Sequence, residues 1–338
     1  SLAKRLKDYG ITRDNLNLSG THTHAGPGAI SHSFILGVIA ADIFNQKVFD
    51  HVIAKVEQSV VKAILNLEPA YLYDLTYKTK GLQRNRRKKP GHFDSNARVL
   101  LAKNIKGDWL GGIFNFAIHG TSLGGSNLKL SGDIPGAMVN SLEKNFQALN
   151  MLTEKLPTIL FINGAEGDVS PKRGGHDQMS TLSDSISLQT MNNLYKARPV
   201  LNPVISFKRK KVFVGIPKIS LSNCIDHPKI RKFIPRFLKI PLIKLLPMKT
   251  SLSTITIGDL TMMTWPGEPT TSVGFQLADV AIKAGHNNPW LFGLTNDHLS
   301  YFTTKEEYRS GSYESCSSFY GNKGTNRILK KFSKMLAK

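Results

Sequence analysis

Two cysteines, Cys224 and Cys316, are all that the 338 residues contain. At most one disulfide can form, so no disulfide framework organises the chain, and the redox compartment stays open. Acidic residues are also scarce: 24 Asp and Glu stand against 45 Lys and Arg, a net charge of +21. Such a surplus attracts polyanions, whether nucleic acid or an anionic lipid surface, or serves only as a solvated basic surface. There is no zinc-finger spacing and no aromatic-interleaved RNA-binding motif, so nucleic acid is not the expected partner. No apolar run reaches the roughly 18 residues of a membrane-crossing helix. Internal repeats and low-complexity linkers are missing too. The opening residues Ser1-Leu-Ala-Lys-Arg-Leu-Lys7 lack an initiating methionine and a signal-peptide core, and they read as the middle of a helix. The chain is therefore expected to be a fragment whose true start lies upstream of Ser1.

What is present reads as one α/β domain over residues 1–338, a mixed sheet core with flanking helices and an active site at the C-terminal ends of strands. Apolar residues at helical spacing predict a helix from Asn45 to Leu67, and further helices are expected over residues 135–149, 182–197 and 272–284. Strands are expected over Asn15–Thr23, Ala70–Lys78, Asn96–Ile105, Gly111–Ile118, Thr158–Ile162, Val204–Val214, Leu252–Ile257, Leu260–Thr264 and Pro289–Leu294. Between two of them lies a basic turn, Arg84 to Lys89.

Polar residues recur where these strands end. His22 and His24 sit in Gly20-Thr-His-Thr-His-Ala-Gly-Pro-Gly28, His119 follows Ile118, and Asp168 and Ser170 follow the Thr158–Ile162 strand. Glu268 follows Trp265-Pro-Gly, and Asn296 to Tyr301 follow the last strand. Ligands of open α/β sheets bind at such strand ends. On a regular strand His22 and His24 would share a face. Each residue alone has an ordinary alternative: a loop-capping or solvated histidine, a satisfied core histidine at 119, a helix cap at Glu268 or Asp168. Together, two or three histidines and a carboxylate have the composition of a catalytic zinc site, which points to a metallohydrolase.

A wider set of motifs runs through the chain in order. It comprises Ser19-Gly-Thr-His-Thr-His-Ala-Gly-Pro-Gly28, Gly81-Leu-Gln-Arg-Asn-Arg86, Phe116-Ala-Ile-His-Gly-Thr-Ser122 and Gly167-Asp-Val-Ser-Pro171. It continues with Pro266-Gly-Glu268, Tyr301-Phe-Thr-Thr-Lys-Glu-Glu-Tyr308, Tyr313-Glu314 and Tyr320-Gly321. With this set the chain resembles the neutral (alkaline) ceramidases, zinc amidases that cleave ceramide into sphingosine and a fatty acid. The resemblance implies one Zn2+ per chain held by His22, His119, Glu268 and Tyr301. It places His24, Arg86 and Tyr313 around the scissile amide and makes Ser170 an essential serine, as nucleophile or orienting hydroxyl. It further implies secretion, or exposure on the extracellular or periplasmic face of a membrane. His298 departs from the pattern, standing near a position where the family has tyrosine. The interval from Ser170 to Glu268 is short, and no C-terminal immunoglobulin-like domain follows Gly321.

Residues 226–249 mix bulky apolar and cationic side chains, with prolines too frequent for one long helix. That composition fits adsorption to an anionic bilayer, or apolar packing beneath solvated lysines. The expected substrate is ceramide or a related N-acyl lipid. The alternatives are a hydrolase of another N-acyl lipid or amide, and a basic membrane-binding protein with an inactive site.

Overall fold

Along the strands apolar side chains alternate between two faces, and each face finds a different partner. The computed structural model describes residues 2–32, 37–87, 91–225, 228–235, 237–243 and 245–337. Lys88 and Lys89 of the expected basic turn, and Asp226, His227, Arg236 and Lys244 of the basic apolar segment, lie outside the described residues.

The first sheet is built from β1 (Ala70–Lys78), β3 (Asn96–Asn104), β4 (Trp109–Phe116), β5 (Thr158–Asn163) and β7 (Arg198–Pro199), in the order β5-β4-β3-β1-β7. The short β2 (Gln83–Asn85) and β6 (Val169–Pro171) pair separately and antiparallel. In the first sheet β4 and β5 run parallel, whereas β1, β3 and β4 form antiparallel neighbours. The second sheet joins β8 (Ile205–Phe213), β11 (Lys249–Ile257), β12 (Leu260–Thr264) and β14 (Asn288–Phe292) in the order β14-β12-β11-β8, again with one parallel pair, β12 and β14. Four strands of two or three residues complete the set: β9 (Lys218–Ser220) with β10 (Lys239–Pro241), and β13 (Glu268–Pro269) with β15 (Tyr301–Phe302). The expected mixed α/β architecture is the observed one.

The longer helices are α1 (Gln46–Leu65), α2 (Asp133–Gln147), α3 (His176–Asn193), α4 (Thr271–Lys283) and α5 (Gly321–Leu336). Phe114, Phe116 and Phe161 of the first sheet pack on Met138, Leu142 and Phe146 of α2 and on Leu182 and Ile186 of α3. Leu252 and Met263 of the second sheet pack on Val273 and Leu277 of α4 and on Ile328 and Phe332 of α5. The remaining faces meet each other: Leu100 and Ile113 lie against Ile257, Met262, Trp290 and Phe292. The layers thus run helix, sheet, sheet, helix, and burying a side chain of this size stabilises by about 1.5–3 kcal/mol.

The two parallel pairs end side by side. The Asn115 amide donates to the carbonyls of Ile162 (3.0 Å), Asn163 (3.2 Å) and Leu291 (2.9 Å), so one side chain pins both sheets together. Gly293 N–H adds a bond to the Asn163 carbonyl at 2.8 Å.

Two expectations change. Asn15–Thr23 is not a strand: among the described residues it has only single bridges, Ser19 to Thr295 and Thr23 to Gly120. Side chains hold it instead, with Asn17 Oδ1 accepting from Arg209 (2.7 Å), Asn296 (2.8 Å) and Ser253 (3.0 Å). His22 has φ +68°, which interrupts any extended run and costs a non-glycine residue conformational energy. The basic turn from Arg84 likewise begins inside a strand, β2. Helix α1 forms where expected, capped by the Asn45 side chain on Lys47 and Val48 N–H, yet none of its residues is fully buried.

Candidate metal centre

Each parallel strand delivers one part of a polar cluster just past its C-terminal end. β4 leads to His119, β5 to Glu166 and Asp168, β12 to Glu268, and β14 to His298 and Tyr301. His22 and His24 arrive from the loop that bridges Gly120. A Cβ at Gly120 would stand 2.5 Å from the His22 carbonyl, so only glycine allows this approach. Glu268 and Tyr301 are direct partners in the parallel β13–β15 register.

His22, His119 and Glu268 form a group able to hold a metal ion, with ligand atoms all within 4.8 Å of one another. The Nε2 atoms of His22 and of His119 each lie 3.2 Å from Glu268 Oε2. Although so close, His22 Nε2 and Glu268 Oε2 are buried without a hydrogen bond of acceptable geometry among the described residues. Orphaned buried polar atoms carry a desolvation cost unless something satisfies them. His119 Nδ1 lies 3.0 Å from the Val169 carbonyl, an acceptor only, which fixes the proton on Nδ1 and leaves Nε2 as a lone-pair donor. The donor set therefore fits a cation that accepts two imidazoles and a carboxylate.

The protonation states agree with this fit. Burial pushes His119 down to about 4 despite the nearby Glu268, so the ring is neutral near pH 7. Burial opposes ionisation of Glu268, but the His119, His22 and His298 rings around it hold its carboxyl well below the usual range. Burial and the Glu268 charge raise Tyr301, which keeps its proton. Burial, then the charge of His22, lowers His24.

The structure brings most of the expected site residues together. The Tyr301 hydroxyl lies 3.2 Å from His119 Nε2 and accepts from Arg86 Nη2 at 3.0 Å. Arg86 turns inward, with Nη1 3.3 Å from His119 Nε2 and Nη2 donating to the Gly167 carbonyl at 2.8 Å. The His24 ring packs edge-on against His22 with centroids 4.8 Å apart. Tyr313 is exposed, its ring 5.4 Å from Tyr301 and 5.2 Å from the Arg86 guanidinium carbon. Ser170 stands one residue from Val169 on β6, opposite Arg84, and its hydroxyl makes no hydrogen bond among the described residues.

Other residues matter that sequence reasoning passed over or left open. Glu314 is buried and accepts from Arg86 Nε (2.8 Å), Arg87 Nη1 (3.0 Å) and Ser312 Oγ (2.8 Å). Glu314 stood in the sequence only as part of the Tyr313-Glu314 motif, with no role given to it. His298 reaches Glu268 Oε1 at 3.0 Å, so the unusual histidine orients the carboxylate. Asp168 accepts from Thr271 N–H and hydroxyl, both at 2.8 Å, and so caps α4. Glu166 is fully buried with both oxygens unpartnered among the described residues, and burial, then Glu268, raises its carboxyl well above the usual range.

With this geometry in place, comparisons become informative. Residues 1–213 and 202–330 match the family described as neutral/alkaline non-lysosomal ceramidase, N-terminal. Neutral ceramidase A of Dictyostelium discoideum is 31% identical over 180 residues, 48% of this chain and 25% of that protein. Neutral ceramidase of Pseudomonas aeruginosa is 30% identical over 136 residues, 36% of this chain and 20% of that protein. A crystal structure of neutral ceramidase from Pseudomonas aeruginosa superposes with a TM-score of 0.81 at 21% identity, covering 99% of this chain and 63% of that chain. A second solved structure, a ceramidase complexed with C2, gives the same TM-score over 64% of its chain. The chain thus spans less than two thirds of the solved structures it resembles and a smaller share of its curated relatives. Matched along most of its length to the family profile, it belongs to the neutral/alkaline non-lysosomal ceramidase family.

Proposed function

We propose that the chain is a zinc-dependent amidase that hydrolyses the N-acyl bond of ceramide, giving sphingosine and a fatty acid. The observation that carries this reading is the convergence of His22 Nε2, His119 Nε2 and Glu268 Oε2; of these, His22 Nε2 and Glu268 Oε2 are buried without hydrogen bonds among the described residues. Tyr301, whose hydroxyl borders His119 Nε2, is the proposed fourth ligand. Zinc, when bound, supplies positive charge and brings a water's pKa toward neutrality.

The chain's own residues account for the remaining steps. Neutral His24, lowered by burial, is free to take a proton and to return it to the leaving amine, without which an amide does not break. Arg86 and the Tyr313 hydroxyl supply donors for the carbonyl oxygen as it becomes negative. Glu314 and Gly167 hold three of the Arg86 contacts in place together with Tyr301, so the guanidinium is oriented before substrate arrives. Ser170, whose hydroxyl has no hydrogen-bond partner among the described residues, is the proposed orienting hydroxyl or nucleophile. The Cys224–Cys316 disulfide supports a secreted protein, or one on an extracellular or periplasmic membrane face. No helix among the described residues is long and apolar enough to cross a membrane.

Release of fatty acid from a short-chain fluorescent ceramide tests the reading. Activity should vanish on chelation and return with Zn2+, and Ser170→Ala and Tyr313→Phe should both lower it. Turnover of other N-acyl amides but not ceramide would move the chain to the first alternative. A folded, zinc-loaded protein without turnover would leave a basic binding protein.

A further inference from the structure

Bulky apolar side chains left in water are informative when they gather beside a site. The rings of the centre form a row: His24 to His22 (centroids 4.8 Å), His22 to His119 (4.6 Å), His119 to Tyr301 (6.5 Å) and Tyr301 to Tyr313 (5.4 Å). At each end of that row a separate segment holds large apolar residues out into solvent.

At the His24 end, loop 123–131 is fastened to the histidine loop. Ser131 N–H donates to the Ala25 carbonyl at 2.9 Å, and the Thr23 hydroxyl donates to the Ser131 carbonyl at 2.7 Å. This loop leaves Leu128 95% and Leu130 76% exposed, on either side of an exposed Lys129. At the Tyr313 end, the segment after Cys224 is tied by its disulfide to Cys316, the last residue of the helix that starts at Tyr313. A second tie is the Arg231 guanidinium on the Ser310 carbonyl. This segment leaves Phe233 86% and Phe237 84% exposed, with Lys229 and Lys232 exposed nearby.

We propose that these two lips, Leu128-Lys129-Leu130 and Phe233/Phe237 with Lys229 and Lys232, dock the protein on an anionic lipid bilayer. The purpose of the docking rests on the lipid-amidase reading, because it would let an N-acyl lipid reach the row of rings without crossing water. Neither loop 123–131 nor residues 228–243 contain an acidic side chain. Apolar residues alternating with cations and no anions suit one partner best: the leucines and phenylalanines enter the acyl boundary while the ammonium groups meet lipid phosphates. A protein partner would ask for buried, shape-matched pockets rather than side chains standing free on two unconnected loops.

Co-sedimentation of the full chain with vesicles tests this, using phosphatidylcholine alone and phosphatidylcholine mixed with phosphatidylserine. Wild-type protein should partition onto the anionic vesicles and less onto neutral ones, with a loss at high salt. Leu128→Ser/Leu130→Ser and Phe233→Ser/Phe237→Ser should each lower partitioning about tenfold. Lys129→Gln/Lys229→Gln/Lys232→Gln should lower it about fivefold per lysine on anionic vesicles and little on neutral ones. All positions are exposed, so zinc uptake and hydrolysis of a water-soluble N-acyl amide should stay at the wild-type level in these variants. Wild-type protein that takes up zinc but ignores both vesicles would overturn the proposal, as would unchanged partitioning of both serine pairs. Vesicle binding is read without turnover, so an inactive protein that still docks through both lips removes the amidase reading and leaves the docking surface standing.

Discussion

His119, delivered by the first sheet, is aimed by main-chain atoms: its ring nitrogen and its own N–H both meet the Val169 carbonyl at 3.0 Å. Glu268, delivered by the second sheet, is aimed largely by side chains, with His298 on Oε1 and the two imidazoles beside Oε2. The His119 side chain is 1% exposed and that of His298 58%. One half of the centre is therefore preset by the fold, and the other half is adjustable from solvent. Main-chain anchors tolerate substitution elsewhere because they depend on no partner's identity, whereas a side-chain anchor is lost with a single mutation.

The comparison can be broken in four places. His119→Ala and Glu268→Ala should each abolish retention of stoichiometric zinc after dialysis, and either variant that still holds zinc would show that the two halves do not share one ion. Trp290→Ala empties the layer where the sheets meet and should cost about 3–5 kcal/mol, read as a lower denaturant midpoint. A loss of metal affinity in that variant beyond its loss of stability would show that the halves are kept in register by the inter-sheet layer.

The third test is pH. Burial lowers His119 from 6.5 to about 4, so between those values the unfolded chain binds a proton that the folded chain refuses. Stability of the metal-free protein should therefore fall as pH drops from about 6.5 to about 4, by on the order of 3 kcal/mol. His24, lowered in the same direction, adds to the loss. His119→Gln should flatten the profile over this window, and a slope unchanged by that variant would remove His119 as its source. The smallest effect is expected at the adjustable half: His298→Ala should weaken zinc binding about tenfold, and His298→Gln, which restores a donor to Oε1, should recover part of it. Equal affinity in all three proteins would mean that Glu268 needs no outside orientation.

Much of the architecture was legible because it rests on short-range pattern. Ala70–Lys78 and Leu260–Thr264 are strands over the very residues expected from their short apolar runs, and α2 buries Ile134, Met138, Leu142 and Phe146 at helical spacing. The polar residues of the site were legible as a group because they follow strands. What stayed hidden depends on contacts between distant residues. Glu314 meets Arg86 across 228 positions, and no local pattern announces that pairing. Asn15–Thr23 has strand-like alternation but no neighbouring strand to pair with among the described residues, and Arg209, Ser253 and Asn296 hold it by side-chain bonds instead. Helix α1 shows the reverse lesson: periodicity predicted it, but periodicity does not reveal how much of an apolar stripe is covered.

The link between Cys224 and Cys316 has a consequence for chain integrity. It closes a loop of 92 positions that contains Glu268, His298, Tyr301 and Tyr313. Any one peptide bond inside that loop can be cut, including one beside exposed Phe237, and the two resulting pieces stay joined as a single molecule. A nicked protein would run as one species without reductant and as two with it, while keeping every candidate ligand on the same particle.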